Sequence, residues 1–220
     1  MGESGMRGTT HLIFWVAMWG ILLLASPFIL SREGQVLRIK NELAAVSTAF
    51  GQEKADEISH SAGLAYKSLF IDTGYLSEKS KFYSRPMTPA ESKLDGVMAR
   101  PTTAFSNATN GYLTALSVNV YGLLLRWGII THWMLFILPF VVAAFLDGFV
   151  TRKVKFAEFG FISPMAYSLS MHFIVFLLFF PLLYLVVPLP VTPYFMPGWA
   201  ICLGFPLIFM ISNTQRLFNG

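Results

Sequence analysis

The chain has 220 residues, of which 55% are hydrophobic and 13% charged, with a formal net charge of +4. A soluble domain carries roughly 25% charged residues, and here the charges are clustered: ten basic and nine acidic residues of the 28 lie between Arg32 and Arg100. A soluble globular enzyme and a basic nucleic-acid-binding domain are both excluded by this pattern, which is that of membrane spans around one polar excursion.

The first apolar run is His11–Leu30, twenty residues without formal charge behind a short head (1–10) that carries Arg7. Its length, Trp15 and Trp19 inside it, and Pro27 where a small-residue exit would stand favour an uncleaved transmembrane anchor over a signal peptide.

The polar stretch 31–131 repeats one spacing three times. Apolar residues recur at Val36, Ile39, Leu43, Val46 and Phe50, then at Ala55, Ile58, Ala62, Ala65 and Leu69, then at Leu113, Leu116, Val120, Leu123 and Trp127. Steps of three and four place each set on one helix face, and the break at Gly51-Gln52 predicts a helical hairpin. Thr73–Thr109, with Pro86, Pro89, Pro101 and many Ser and Thr, reads as a long loop. Gly111–Thr131 is apolar enough to span but holds Asn119 and Arg126. A span there would put Arg7 outside, so it reads as a periplasmic or interfacial helix leading into the next span.

Three further spans follow: His132–Val150, then 164–189 with a kink at Pro181 and an end at Pro188 and Pro190, then 195–213. A tight turn (190–194) separates the last two. The loop 151–163 holds Arg152, Lys153 and Lys155 against Glu158, and Arg7 and Arg216 mark the termini. Basic residues in short loops resist translocation. Four spans therefore leave both termini (the tail being 214–220) and this loop cytoplasmic, and 31–131 outside. The expected fold is all-α: a polytopic membrane protein with four transmembrane helices and a helical extracytoplasmic segment after the first.

Chemistry is sparse. The histidines His11, His60, His132 and His172 form no metal-ligand spacing, and no nucleophile motif, phosphate loop or CxxC occurs. A lone Cys202 excludes a disulfide framework within the chain. The expectation is no catalytic residues, no cofactor and no metal. His172 lies inside a span, where a polar ring serves a helix–helix contact, and it joins Val36, Ile39, Leu43, Ile58 and Ala62 as a packing residue. The strongest cluster is the end of the second span: Asp147, Gly148, Arg152, Lys153 and Lys155. Asp147 is the only carboxylate in a span, and Arg152 offers it a partner within the chain or in a neighbouring copy of a homo-oligomer. The turn is the one compact charged surface on the cytoplasmic side, and so the docking candidate.

The same string, LPFVVAAFLDGFVTRKVKFAEFGFISPMAYSLSMH, resembles TraJ-type inner-membrane proteins of conjugative plasmids and integrating conjugative elements, through Pro139, Asp147-Gly148, Arg152, Ser163 and His172. The acidic and basic residues after the first span (Arg32-Glu33) and the late proline-rich turn are also similar. The resemblance implies a non-enzymatic inner-membrane component of conjugative DNA transfer by type IV secretion. Its partners would be membrane lipid, the coupling ATPase and other conjugation proteins, without direct nucleic-acid contact. The competing reading is a small transporter or channel subunit, with Asp147, His172 and Arg126 on a polar path. The sequence shows no repeat between its halves and few intramembrane polar residues, which weighs against it.

Overall fold

The computed structural model describes residues 3–74 and 91–214. Seven helices and no strand occur among the described residues: α1 (Glu3–Ile29), α2 (Arg32–Phe50), α3 (Gln52–Phe70), α4 (Glu91–Ala157), α5 (Pro164–Leu178), α6 (Phe180–Val186) and α7 (Phe195–Ser212). Three stretches are long and apolar enough to cross a membrane: Gly111–Ala157, Pro164–Val186 and Phe195–Ser212. They become four if the bent pair Ile13–Ile29 with Arg32–Phe50 counts as one. The composition and these helices are those of a membrane protein.

The chain divides into two compact units. The first comprises residues 1–128 with Val186–Pro190. Here α1 ends at Ile29, and the chain bends by 110° into α2. The Ser31 hydroxyl accepts from the Gly34 N–H at 3.3 Å and caps α2, satisfying one of the donors a helix start leaves open. α2 stops at Gly51, whose φ of 88° lies in the left-handed region that glycine enters without steric cost. α3 starts at the next residue and packs against α2.

The hairpin thus lies where the spacing places it, but its buried face differs. α2 buries Gln35, Arg38, Glu42 and Val46. Of the apolar set, Ile39 and Leu43 are half-buried and Val36 is 36% exposed. The polar trio sits one residue, about 100° of helix, from that set. Arg38 and Glu42 find partners on facing elements that an exposed position could not supply, and this sets the helix rotation. α3 buries Ala55, Ile58 and Ala62, three members of its apolar set.

α4 departs further from expectation. Its helix covers Glu91–Thr109, which composition reads as loop; residues 75–90 of that loop lie outside the described residues. The serines, threonines and prolines mislead there. Glu91–Arg100 also carries Glu, Leu, Met, Ala and Arg, good helix formers with an acid at the first position. Downstream, the buried face runs Ala115, Asn119, Gly122 and Arg126, while Trp127 is 57% exposed. At 1.5 Å per residue, the 47 residues of Gly111–Ala157 reach roughly 70 Å, more than twice the roughly 30 Å hydrocarbon core. Only part of α4 can lie in a bilayer.

The second unit comprises Ile129–Leu185 and residues 191–220, with the rest of α4, α5, α6 and α7. α5 and α7 pack together. Gly148 of α4 sits against α7, where an added Cβ would come within 3.0 Å of Ile211 and 3.2 Å of the Ile208 backbone. Gly204 of α7 likewise faces Phe140. Small residues at such crossings let helix backbones approach closely.

The expected kink at Pro181 is a break. α5 ends at Leu178, Phe179 forms a turn, and Pro181 stands in the first turn of α6. Proline has no N–H for the Leu177 carbonyl four residues back. The Trp199 indole N–H of α7 donates to that oxygen at 2.7 Å instead. Pro27 in α1 deprives Leu23 in the same way, and the Ser26 hydroxyl donates to the Leu23 carbonyl at 2.9 Å. In a bilayer such freed backbone groups need an internal partner.

Candidate functional site

Five buried polar residues of the first unit are joined by hydrogen bonds: Ser26 from α1, Arg38 and Glu42 from α2, and Asn119 and Arg126 from α4. Arg126 is fully buried. Its Nε donates to Glu42 Oε2 at 3.1 Å, and its Nη2 donates to Glu42 Oε1. This two-point fork is the strongest geometry an ion pair takes.

The remaining donors turn to backbone. Arg126 Nη1 donates to the Val187 carbonyl at 2.6 Å, and Nη2 to the Leu189 carbonyl at 2.5 Å. These carbonyls belong to Val187-Pro188-Leu189-Pro190, which follows α6 and is not helical. The prolines leave that stretch short of N–H donors for its own oxygens, and arginine meets the need.

Arg38 extends the network. Its Nη1 donates to Val187 O at 3.4 Å and its Nη2 to Asn119 Oδ1 at 3.2 Å, while Asn119 Nδ2 donates to Ser26 Oγ at 2.7 Å. Gly122 of α4 leaves room for this guanidinium, because an added Cβ would collide with Arg38 Nη2. Arg38 Nε lies 3.8 Å from Glu42 Oε1. Burial, and then the charge of Arg126, push Arg38 down to about 10 against the pull of Glu42. It stays cationic at neutral pH.

Among the described residues two guanidinium groups meet one carboxylate, and their other N–H groups turn to carbonyl and amide oxygens. Both ends of the fully buried Gln35 amide lack a hydrogen-bond partner among the described residues. The arrangement ties α1, α2, α4 and residues 187–189 to one point. Among the described residues no group of His, Cys, Asp and Glu is placed to hold a metal.

Sequence reading marks Asn119 and Arg126 but passes over Gln35, Arg38 and Glu42. Their signal is present: polar residues spaced by three and four, with Arg38 and Glu42 in ion-pair register, on a helix beside an apolar run. A search for apolar seams alone discards it.

The turn after α4 lies in the second unit. Asp147 is exposed and forms no salt bridge with Arg152 among the described residues. Five residues on a continuous helix separate side chains by about 140°, so the two diverge. Arg152 lies over the Phe156 ring at 5.4 Å, and the exposed Lys153 over Phe149 at 4.8 Å. Gly148 is a helix-packing residue. Lys155 is tied inward: its Nζ donates to Asn213 Oδ1 at 3.0 Å, and the Ser163 N–H reaches the same oxygen at 3.2 Å.

α4 ends with Phe159 in the left-handed conformation, φ 54°, and the Gly160 N–H donates to Lys155 O at 2.7 Å. Ser163 accepts from Ala166 N–H and caps α5. The loop presents Phe159 (97% exposed) and Phe161, and the first turn of α5 presents Met165. His172 is exposed on α5, away from the helix–helix contact expected of it, because the buried position of that face is Ser170.

Comparison with known families decides the identity at this level. The family described as IncC plasmid conjugative DNA transfer protein DtrJ-like matches residues 12–219. The chain belongs to this family. A DtrJ-like chain is a conjugation-related protein, and the family implies a role in conjugative DNA transfer. No curated protein and no solved structure matches the chain.

Proposed function

We propose that this DtrJ-like chain is a non-enzymatic component of the bacterial inner membrane that assembles with the coupling ATPase at a type IV secretion channel. Four spans, both termini cytoplasmic and α2–α3 outside, fit the basic bias at Arg7, Arg152–Lys155 and Arg216. A TraJ-type kinship belongs to the same reading. Membership in a conjugative DNA transfer family over residues 12–219 is the observation that carries it.

The docking surface is the turn after α4. A loop bearing exposed Phe159 and Phe161, between the exposed Lys153 of α4 and Met165 in the first turn of α5, combines aromatic anchors with a charged rim, the anatomy of an interaction patch. The buried Arg38–Glu42–Arg126 cluster is the structural centre that holds the outer helices in one arrangement. Any energy for transfer comes from the partner.

Affinity purification of the intact protein from donor-cell membranes tests the assembly. The coupling ATPase is expected among the enriched proteins, and deletion of the chain is expected to abolish transfer. Normal transfer frequency without the chain would overturn the proposal.

A further inference from the structure

We infer that the outward face of α2's first three turns is a binding site for the headgroup of an anionic phospholipid. This rests on the reading of α1 as a membrane span. α1 carries lipid-type side chains to its very end, with Leu24, Phe28 (81% exposed) and Ile29 turned outward. The 110° bend that follows sets α2 close to the plane perpendicular to α1. A helix that leaves a span at such an angle begins its course at headgroup depth.

The rotation of α2 is fixed by its inner face, since Arg38 and Glu42 are held in the buried cluster and Gln35 is buried on the same side. Its outer face is therefore determined: Ser31, Arg32, Glu33, Val36, Leu37 and Lys40. Among the described residues these six line an open hollow of about 560 Å³, within the size range of small-ligand sites. Arg32, Val36 and Lys40 follow one another at intervals of four, so a cation stands one turn to each side of an exposed aliphatic pair.

That chemistry matches one ligand. Two cations against Glu33 leave a positive surplus for a phosphate. Val36 and Leu37, the latter 59% exposed, offer a surface to glycerol and the first acyl carbons. Stems as long as those of Arg32 and Lys40 can lie along apolar surface while their heads reach a phosphate. A soluble anion would use the charges but would gain nothing from the aliphatic pair.

Native mass spectrometry of the full-length protein, purified with mixed phosphatidylglycerol and phosphatidylcholine, tests the site. Phosphatidylglycerol retention is expected to exceed phosphatidylcholine retention. Arg32→Gln with Lys40→Gln should reduce it at least fivefold, and Val36→Ser with Leu37→Ser should reduce it without any change of charge. Lys67→Gln on α3 serves as the charge control. All these side chains are outward-facing, so thermal unfolding of the variants should match that of the parent. Unchanged lipid preference in the Arg32/Lys40 variant would overturn the site. So would displacement of the lipid by millimolar inorganic phosphate, which would mark a site for soluble anions. The span itself is read separately: a Phe28→Cys variant that reacts with a water-soluble maleimide in intact membranes removes the premise. If that variant stays unreactive and the protein shows no lipid preference, the headgroup site alone is removed.

Discussion

Glu42 and Arg126, separated by 84 residues in sequence, face each other as a fully buried two-point ion pair, and the same guanidinium holds the carbonyls of Val187 and Leu189. One arginine thus satisfies a carboxylate and two proline-flanked backbone oxygens. Arg38 completes the coordination from the helix turn before Glu42.

Removing one member of such a pair leaves a buried charge uncompensated, which costs about 3–5 kcal/mol. Glu42→Gln is therefore expected to destabilise the folded protein by that amount, since two guanidinium groups would then face each other. Arg126→Met should do likewise by leaving Glu42 only its longer contact with Arg38 and taking the donor from the Leu189 carbonyl. The double variant should cost less than the sum, with a coupling of about 1–3 kcal/mol. Thermal unfolding of the four proteins in detergent closes the cycle. Additive losses would mean that the pair is not formed.

The Leu177 carbonyl offers a sharper test of local chemistry. Trp199→Phe keeps an aromatic ring and removes the N–H, and is expected to cost about 1–2 kcal/mol. In a Pro181→Ala background the helix regains its own donor to Leu177, so the same change should cost less than half as much. An equal loss in both backgrounds would show that the indole acts through packing alone.

The membrane class, the hairpin break at Gly51 and a disturbance of the helix at Pro181, expected as a kink, are legible in the sequence because each rests on a local rule: hydropathy, φ, or a missing N–H. The inner face of α2 is not, because Gln35, Arg38 and Glu42 become core only through elements distant in the chain, as Arg38 does with Asn119 and Glu42 with Arg126. The same holds for Asp147 and Arg152. Their nearness in sequence points to an ion pair that the diverging side chains do not form among the described residues, while Lys155 is claimed by Asn213 at the end of another helix. Residues 91–109 mislead for a different reason, since turn-forming composition outweighs the helix formers among which it stands.

Orientation is open to direct chemistry. In a Cys202→Ser background, Ser61→Cys, at an exposed position of α3, should react with an impermeant maleimide in intact spheroplasts. Glu158→Cys, exposed after α4, should react only after permeabilisation. The reverse pattern would invert the topology and move the docking turn to the outer face.

The docking turn is tested most directly by reversing the charges beside its exposed aromatics. Arg152→Glu with Lys153→Glu alters the rim of the Phe159–Phe161 loop. Lys155→Gln serves as the internal control, because that side chain already serves Asn213. Co-purification of the coupling ATPase from membranes containing equal amounts of each variant is the measurement. The double reversal is expected to weaken it at least tenfold, about 1.4 kcal/mol of binding, and to reduce DNA transfer in step, while Lys155→Gln retains both. Undiminished co-purification by an inserted, normally abundant double variant would contradict the assignment of this turn as the docking surface.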